Sequence, residues 1–178
     1  MPISSGDVQY RFSTKSGSAG DTLAGTGAGS LGKYAATTQL TSGGLHDLFD
    51  LVSGAENTAS DVEYRCIFVY NAHATASWLG VKVWVESQVA GGASIAIGVD
   101  PTAASDIDSA GAQAVEVTDE STAPAGVSFS TPTTKGTGLD LGDLAPDEVR
   151  AVWIRRTAAN SAALANDGAQ LKTSGDTV

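Results

Sequence analysis

Residues 61–71 read DVEYRCIFVYN and carry the strongest structural signal in the chain. Apolar and aromatic side chains recur at every second position from Val62 to Tyr70. A period of two is the repeat of a β-strand, because successive side chains point to opposite faces of a sheet. From Cys66 onward both faces are apolar, which predicts a strand that enters the interior of a sheet.

Other segments show the same period on both sides of this strand. Clear strands are predicted for 78–88, 94–99 and 148–157, with Val81, Val83 and Val85 on one face of the first. Weaker patterns predict a helical turn or a strand at 45–52, a polar turn at 53–60, and a loop or short helix at 102–114. The shorter strands predicted are 7–13, 34–40, 115–118, 127–130, 139–144 and a final hairpin strand at 169–172, after a turn at 166–168.

Many short strands without a long amphipathic helix are typical of an all-β protein. The sequence therefore predicts an antiparallel β-sandwich, Ig-like or jelly-roll-like, formed by one domain over residues 1–178. Glycine, serine, threonine and alanine dominate residues 14–32. We expect this stretch to be an extended loop or an N-terminal arm, because each glycine loses much backbone entropy on ordering.

The composition excludes several classes of function. Acidic residues outnumber Lys and Arg by 20 to 10, and the net charge of −10 argues against nucleic-acid binding. One cysteine and two histidines exclude a zinc finger and a disulfide framework. No stretch has the length of apolar residues that spans a membrane, and no secretory signal precedes the first strand, so we expect synthesis in a cytoplasm.

Candidate chemical groups are few, and each has a simpler structural explanation. The glycines of 25–29 lack the flanking strand, helix and lysine of a phosphate loop. His46 and His73 accompany no serine or cysteine in a nucleophile elbow, and Cys66 is predicted to be a buried, inert thiol. The sequence therefore assigns no catalytic, cofactor-binding or metal-binding residue, and we expect no enzyme activity.

Three further groups leave alternatives open. Six acids offer oxygen ligands for a structural Ca²⁺, although solvated loop carboxylates are favoured, since no spacing matches an EF-hand. Trp84 and Trp153 are favoured as core residues, but an exposed one would suit sugar binding. Arg155 and Arg156 either pair with the many acids or dock onto an acidic partner. The six acids are Asp106, Asp108, Asp140, Asp143, Asp147 and Glu148.

Several stretches together resemble a group of virion structural proteins of tailed bacteriophages. They lie within residues 45–175, in the order LFDLVS at 48–53, EYRCIFV at 63–69, VWVE at 83–86, SIAIG at 94–98, RAVWIRRT at 150–157 and NDG at 166–168. The resemblance implies a structural role in the particle and no catalysis.

Among such roles, a capsid decoration (cement) protein on the outer surface of the head fits the small, acidic, all-β chain best. Its implied partners are the major capsid protein and further copies of itself, as a trimer or dimer. The expected location is therefore the virion surface. The acidic charge and the lack of a membrane-spanning stretch predict neither nucleic acid nor membrane as a partner. The alternatives are a tail tube or baseplate component and a carbohydrate-binding β-sandwich.

Overall fold

The computed structural model describes residues 2–44, 46–159 and 167–178. Within them lie nine strands, one short α-helix and a 3-10 turn at Lys135–Thr137. The elements are β1 (Val8–Thr14), β2 (Tyr34–Gln39), α1 (Gly54–Ala59), β3 (Val62–Asn71), β4 (Trp78–Gln88), β5 (Ser94–Val99), β6 (Ser105–Asp106), β7 (Leu139–Leu144), β8 (Glu148–Thr157) and β9 (Ala169–Thr177).

The strands form two antiparallel sheets, which confirms the predicted all-β sandwich. The large sheet has the order β2-β1-β3-β8-β5, and the two-residue β6 pairs with β8. The small sheet has the order β7-β4-β9. The long strands β3 and β8 pair along their whole length at the centre of the large sheet, with Cys66 opposite Trp153.

The main apolar core lies between the two sheets. Alternate residues of β3 and β8, among them Ile67 and Ile154, meet Val81, Val83 and Val85 of β4 there. The period-two pattern of β4 thus identified its buried face correctly. Burying a side chain of this size stabilises the fold by about 1.5–3 kcal/mol.

A second core covers the opposite face of the large sheet. There Phe68 and Trp153 are buried under two long loop segments, residues 15–33 and 100–130, which supply apolar side chains such as Ile107 and Val117. The large sheet is therefore buried on both faces. This arrangement is the physical reason that both faces of β3 are apolar from Cys66 onward.

The glycine-rich stretch 14–32 is a loop attached to its own domain. The amide N–H of Cys66 donates to the carbonyl of Ser30 at 2.7 Å, and the N–H of Val117 donates to Leu31 at 3.1 Å. At Gly32, with φ of +92°, a Cβ atom would lie 1.9 Å from the Val115 carbonyl oxygen. Of the two predicted forms, loop or arm, the loop is observed, since close packing requires glycine here.

Two buried polar side chains hold the covering loops in place. The carboxylate of Asp100 accepts hydrogen bonds from Trp153 Nε1 at 2.7 Å and from the backbone N–H groups of Thr102 and Val115 at 2.8 and 3.0 Å. Gln113 likewise bonds three backbone groups, at Ala35, Asp106 and Ile107. Both side chains are almost completely buried, so their hydrogen bonds are costly to break.

Several weaker sequence predictions are wrong. Residues 115–118 and 127–130 form only isolated bridges, at Glu116 and Ser130, because they lie in the covering loops. Residues 46–52 form neither a strand nor a helical turn. At 102–114 the loop alternative is confirmed, apart from the two-residue β6. β9 is longer than predicted and pairs with β4 of the small sheet, so it is not a hairpin partner of β8. Of the predicted turn at 166–168, only 167–168 lies within the described residues.

Helix α1 replaces the polar turn that the sequence predicts at 53–60. Ser53 Oγ accepts from the N–H of Glu56 at 3.2 Å, and the Glu56 carboxylate accepts from the N–H of Ser53 at 2.5 Å. This reciprocal pair is a capping box, and it satisfies N–H groups that the first turn of a helix leaves without partners. Ser60, in the left-handed conformation, ends the helix.

We expect Ser53→Ala to lower the free energy of unfolding by about 1 kcal/mol, because the N-cap acceptor is lost. Urea unfolding followed by tryptophan fluorescence measures this change. Thr58→Ala is the matched control, since its hydroxyl bonds the Gly54 carbonyl within the same helix without capping it. An equal loss in both variants would contradict the role of the cap.

Candidate interaction site

The inner face of the large sheet is wider than the small sheet that packs on it. Five strands face three, and residues 46–53, here called the strap, cover part of the remainder. The strap residues Leu48 and Phe49 pack against the inter-sheet core, as does Leu40. The strap begins at His46, after the crossing from β2, and ends at the cap of α1.

A buried arginine fastens the strap to the sheet. Arg156 of β8 lies directly opposite Glu63 of β3, and its Nε donates to the Glu63 carboxylate at 2.6 Å. Its remaining nitrogens donate to the carbonyl of Asp50 and, at 2.9 Å, to the Asp50 carboxylate. The guanidinium also lies over the ring of Phe49, 4.8 Å from the centroid. Arg156 therefore contacts the strap through charge, hydrogen bonds and an aromatic face.

The electrostatics of this cluster follow from its burial. Glu63 and Arg156 are 7% and 5% exposed, and desolvation raises the pKa of Glu63, while the adjacent guanidinium acts in the opposite direction. Hydrogen bonds from Ser53 lower the pKa of the neighbouring Glu56. Carboxylate oxygens of Asp50, Glu56 and Glu63 lie within 4.8 Å of one another, which resembles a cation site. Arg156 forms ion pairs with both Glu63 and Asp50, so we assign this group as an ion-pair cluster.

A cleft of about 1010 Å³ lies between the strap and the small sheet. Its floor is the apolar inner face of the large sheet, including Tyr10, Ile67 and Ile154. Leu51 of the strap lines it and is 68% exposed, which is unusual for a large apolar side chain. The first residues of β9, at positions 169–171, line it as well.

The predicted candidate residues do not assemble into a catalytic group. Cys66 is fully buried in the second core, and burial raises the pKa of its thiol, as expected for an inert cysteine. His46 is exposed in the strap, whereas His73 Nδ1 accepts from the N–H groups of Thr75 and Ala76. Within the described residues no hydrogen bond joins either histidine to Cys66.

All three tryptophans are buried, although Trp84 lies on the face of β4 opposite Val83 and Val85. Trp153 is fully buried and Trp84 is 5% exposed, and Trp78 is also in the core. The prediction that Trp84 and Trp153 pack inside is confirmed. A sugar-binding surface built on either ring would need the core to open.

The six acids predicted as possible calcium ligands remain separate. Asp106 and Asp108 are exposed, and the other four each accept hydrogen bonds from neighbouring groups. Among the described residues, these six contribute to no group of three that could hold a metal ion. The partners are the N–H of Gly142 for Asp140, the N–H of Gly80 for Asp143, the hydroxyl of Tyr70 for Asp147 and the N–H of Ala145 for Glu148.

Tyr70 gives the Asp147 contact a measurable signature. Burial, followed by the hydrogen bond to Asp147, raises the pKa of Tyr70 to about 12 from 10.0. The folded protein thus keeps a proton that the unfolded chain releases, so stability falls as the pH rises from 10 through 12. We expect Tyr70→Phe to flatten this alkaline loss, as measured by urea unfolding across that range. Tyr10→Phe is the comparison variant: burial raises the pKa of Tyr10, but its hydroxyl bonds Thr173 instead of a carboxylate, so we expect this variant to flatten the loss less.

The glycines of 25–29 serve close packing, with Gly27 against the strap. A Cβ atom on Gly27 would lie 2.3 Å from the carbonyl oxygen of Asp47 and 2.7 Å from that of Leu48. One on Gly25 would meet Ala36 and Phe12. These contacts explain the glycines without a phosphate ligand.

The adjacent arginines have different surroundings. Arg156 pairs with acids in the ion-pair cluster, which is one of the two alternatives that the sequence predicts. Arg155 is partly exposed, and its guanidinium lies over the ring of Phe129, 5.4 Å from the centroid. The sequence does not predict that Glu63 and Asp50 are the partners of Arg156. The direct cross-strand position of Glu63 was available only once β3 and β8 were paired.

The comparisons with known proteins leave the chain without an established relative. No protein-family model, curated protein or solved structure matches it. None of the helices within the described residues is long and apolar enough to cross a membrane. The fold and the cleft thus define an antiparallel β-sandwich with a strap-lined groove.

Proposed function

We propose that this protein is a structural component of a tailed-bacteriophage particle, and specifically a decoration protein on the outer surface of the head. The observation that carries the proposal is the resemblance of its sequence to virion structural proteins. The resembling stretches fall on β3, β4, β5, β8 and the strap. They thus form three strands of the large sheet, the middle strand of the small sheet and one wall of the cleft.

Physical features of the chain support a binding role at a particle surface. Its net charge of −10 suits a position away from the packaged genome, because phosphate repels acidic surfaces. Cys66 is fully buried, His73 accepts hydrogen bonds from the backbone, and His46 is exposed in the strap. The glycine-rich loop is packed on its own domain, so docking would use a preformed surface without the entropic cost of ordering an arm.

The proposed partners are the major capsid protein and further copies of this chain in a trimer or dimer. Mass spectrometry of purified particles, combined with cryo-electron microscopy, tests the proposal directly. We expect the chain on the outer surface of the head at the contacts between capsid subunits. Particles that lack the chain would overturn the proposal.

The same experiment distinguishes the alternative positions in the particle. Density in the tail tube or baseplate, with hexameric rings in solution, would favour the tail component. Light scattering after size exclusion separates trimers from hexamers before any imaging. The carbohydrate-binding alternative predicts specific binding on a glycan array, and the burial of Trp84 and Trp153 removes the surface on which it relied.

A further inference from the structure

We propose that the cleft between the strap and β9 binds an extended, basic segment of a neighbouring protein, which adds a fourth strand to the small sheet. The inference rests on the proposed function for the identity of the neighbour as a particle protein. The groove itself is argued from the edge of β9, the apolar floor and the charges of the rim.

β9 is a long strand at the edge of its sheet. It spans nine residues and pairs only with β4 among the described residues. Half of the main-chain donors and acceptors of such a strand point away from its one neighbour. An extended peptide pairs with this kind of edge through main-chain hydrogen bonds.

The edge of β9 faces the cleft at its first residues. Ala169, Gln170 and Leu171 are consecutive, and all three line the cleft. Successive side chains of a strand point to opposite faces of the sheet. Three consecutive residues can therefore all line the cleft only if the edge of the strand forms its wall. A strand added to this edge would therefore enter the cleft.

The lining of the cleft favours binding of a strand with apolar side chains on one face. A segment paired with β9 would place alternate residues over Tyr10, Ile67 and Ile154, and beside the exposed Leu51. Leu51 and the apolar side chains of the segment would leave water on binding, which is favourable in proportion to the area buried, whereas Ile67 and Ile154 are already almost completely buried. Main-chain pairing would fix the register, and the floor would select apolar residues at every second position.

The rim charge selects the partner. Asp47, Asp50 and Asp167 line the cleft, and among the described lining residues Arg156 is the one arginine; it pairs with both Asp50 and Glu63, so the lining keeps a net negative charge. A second copy of this chain would bring a further net charge of −10 to an acidic rim. A segment flanked by lysine or arginine is complementary, so the occupant is a different protein.

Peptide binding to the full chain tests this inference without a virus particle. The probe is the fluorescein-labelled peptide KKVSVTVSKK, and fluorescence anisotropy measures its dissociation constant. Two peptides are compared with it: one with the flanking lysines replaced by glutamate, and one with N-methylated valines, which cannot donate main-chain hydrogen bonds. We expect at least about tenfold weaker binding of both, and weaker binding of the probe at high salt.

Two matched protein variants locate the site. Leu51→Ser removes an exposed cleft side chain, and Leu23→Ser removes an exposed leucine that does not line the cleft. We expect Leu51→Ser to weaken the probe several-fold and Leu23→Ser to leave it unchanged. Equal binding of the N-methylated peptide, stronger binding of the glutamate peptide, or no binding of the probe would overturn the inference. Dimerisation lost on Leu51→Ser would instead identify a second copy as the occupant.

These outcomes are independent of the test of the proposed function. If the chain binds the probe but is missing from purified particles, the groove inference is supported and the proposed virion role is overturned. If the chain is found on the head but does not bind the probe, the proposed virion role is supported and the groove inference is overturned.

Discussion

Replacement of Asp100 by alanine is expected to lower the free energy of unfolding by about 4 kcal/mol, because three donors, one of them fully buried, lose their shared carboxylate acceptor. The donors are Trp153 Nε1 and the N–H groups of Thr102 and Val115. Trp153 is fully buried beneath the covering loops, so water cannot replace the carboxylate without opening the second core. Chemical unfolding monitored by circular dichroism measures the loss.

Two controls separate the hydrogen bonds from the removal of a charge. Asp143→Ala deletes an exposed carboxylate that bonds a single backbone N–H, at Gly80, and we expect a change within about 1 kcal/mol. In the second control, Trp153→Phe removes one donor, so the combined Asp100→Ala and Trp153→Phe variant should lose less than the sum of the two. Strict additivity would show that the Trp153 bond contributes nothing.

Local patterns predicted the strands well, because a strand that buries one or both faces has a recognisable repeat of apolar residues in its sequence. The alternation in 61–71, 78–88 and 148–157 identified β3, β4 and β8 to within a residue at each end. Asp100 directly follows the predicted strand 94–99, and no local pattern predicts a role for its side chain. Its function depends on Trp153, which lies 53 positions further along the chain and meets it only in the folded sheet.

The covering loops show a second limit of sequence reasoning. Glycine and serine in 14–32 predict irregular backbone, but composition cannot distinguish a free arm from a loop that needs glycine for close packing. Gly27 and Gly32 belong to the second case, because their neighbours leave no room for a Cβ atom. Helix α1, in contrast, had a readable signal, since Ser53 and Glu56 have the spacing of a capping box.

The candidate site was invisible in the sequence for a related reason. Arg156 belongs to a basic pair, and nothing local shows that it is the buried member while Arg155 lies over an aromatic ring. Strand alternation does place the two on opposite faces, and the pairing of β3 with β8 then puts Glu63 opposite Arg156. The strap is held by this buried charge, so the shape of the cleft depends on it.

Arg156→Ala is expected to destabilise the fold by about 3–5 kcal/mol, because it leaves Glu63 buried without its partner. Carboxylate oxygens of Asp50 and Glu56 lie within 4.8 Å of the Glu63 carboxylate, so the variant removes the cation that pairs with two of three neighbouring acids. The strap also loses its hydrogen bonds and the stacking on Phe49. Amide hydrogen exchange in residues 46–59 should accelerate more than exchange in the centre of β3.

The pH dependence and two further variants make this expectation specific. Burial already raises the pKa of Glu63, and loss of the guanidinium raises it further, so the defect should shrink as the pH falls towards 4.5 and Glu63 becomes neutral. Arg155→Ala, at the adjacent position, should cost about 1 kcal/mol or less, as for an exposed cation–π contact. The paired replacement of Glu63 by Gln and Arg156 by Met should recover much of the loss, since it leaves no unpaired buried charge. A defect in Arg156→Ala that is independent of pH would show that packing, rather than charge, holds the strap.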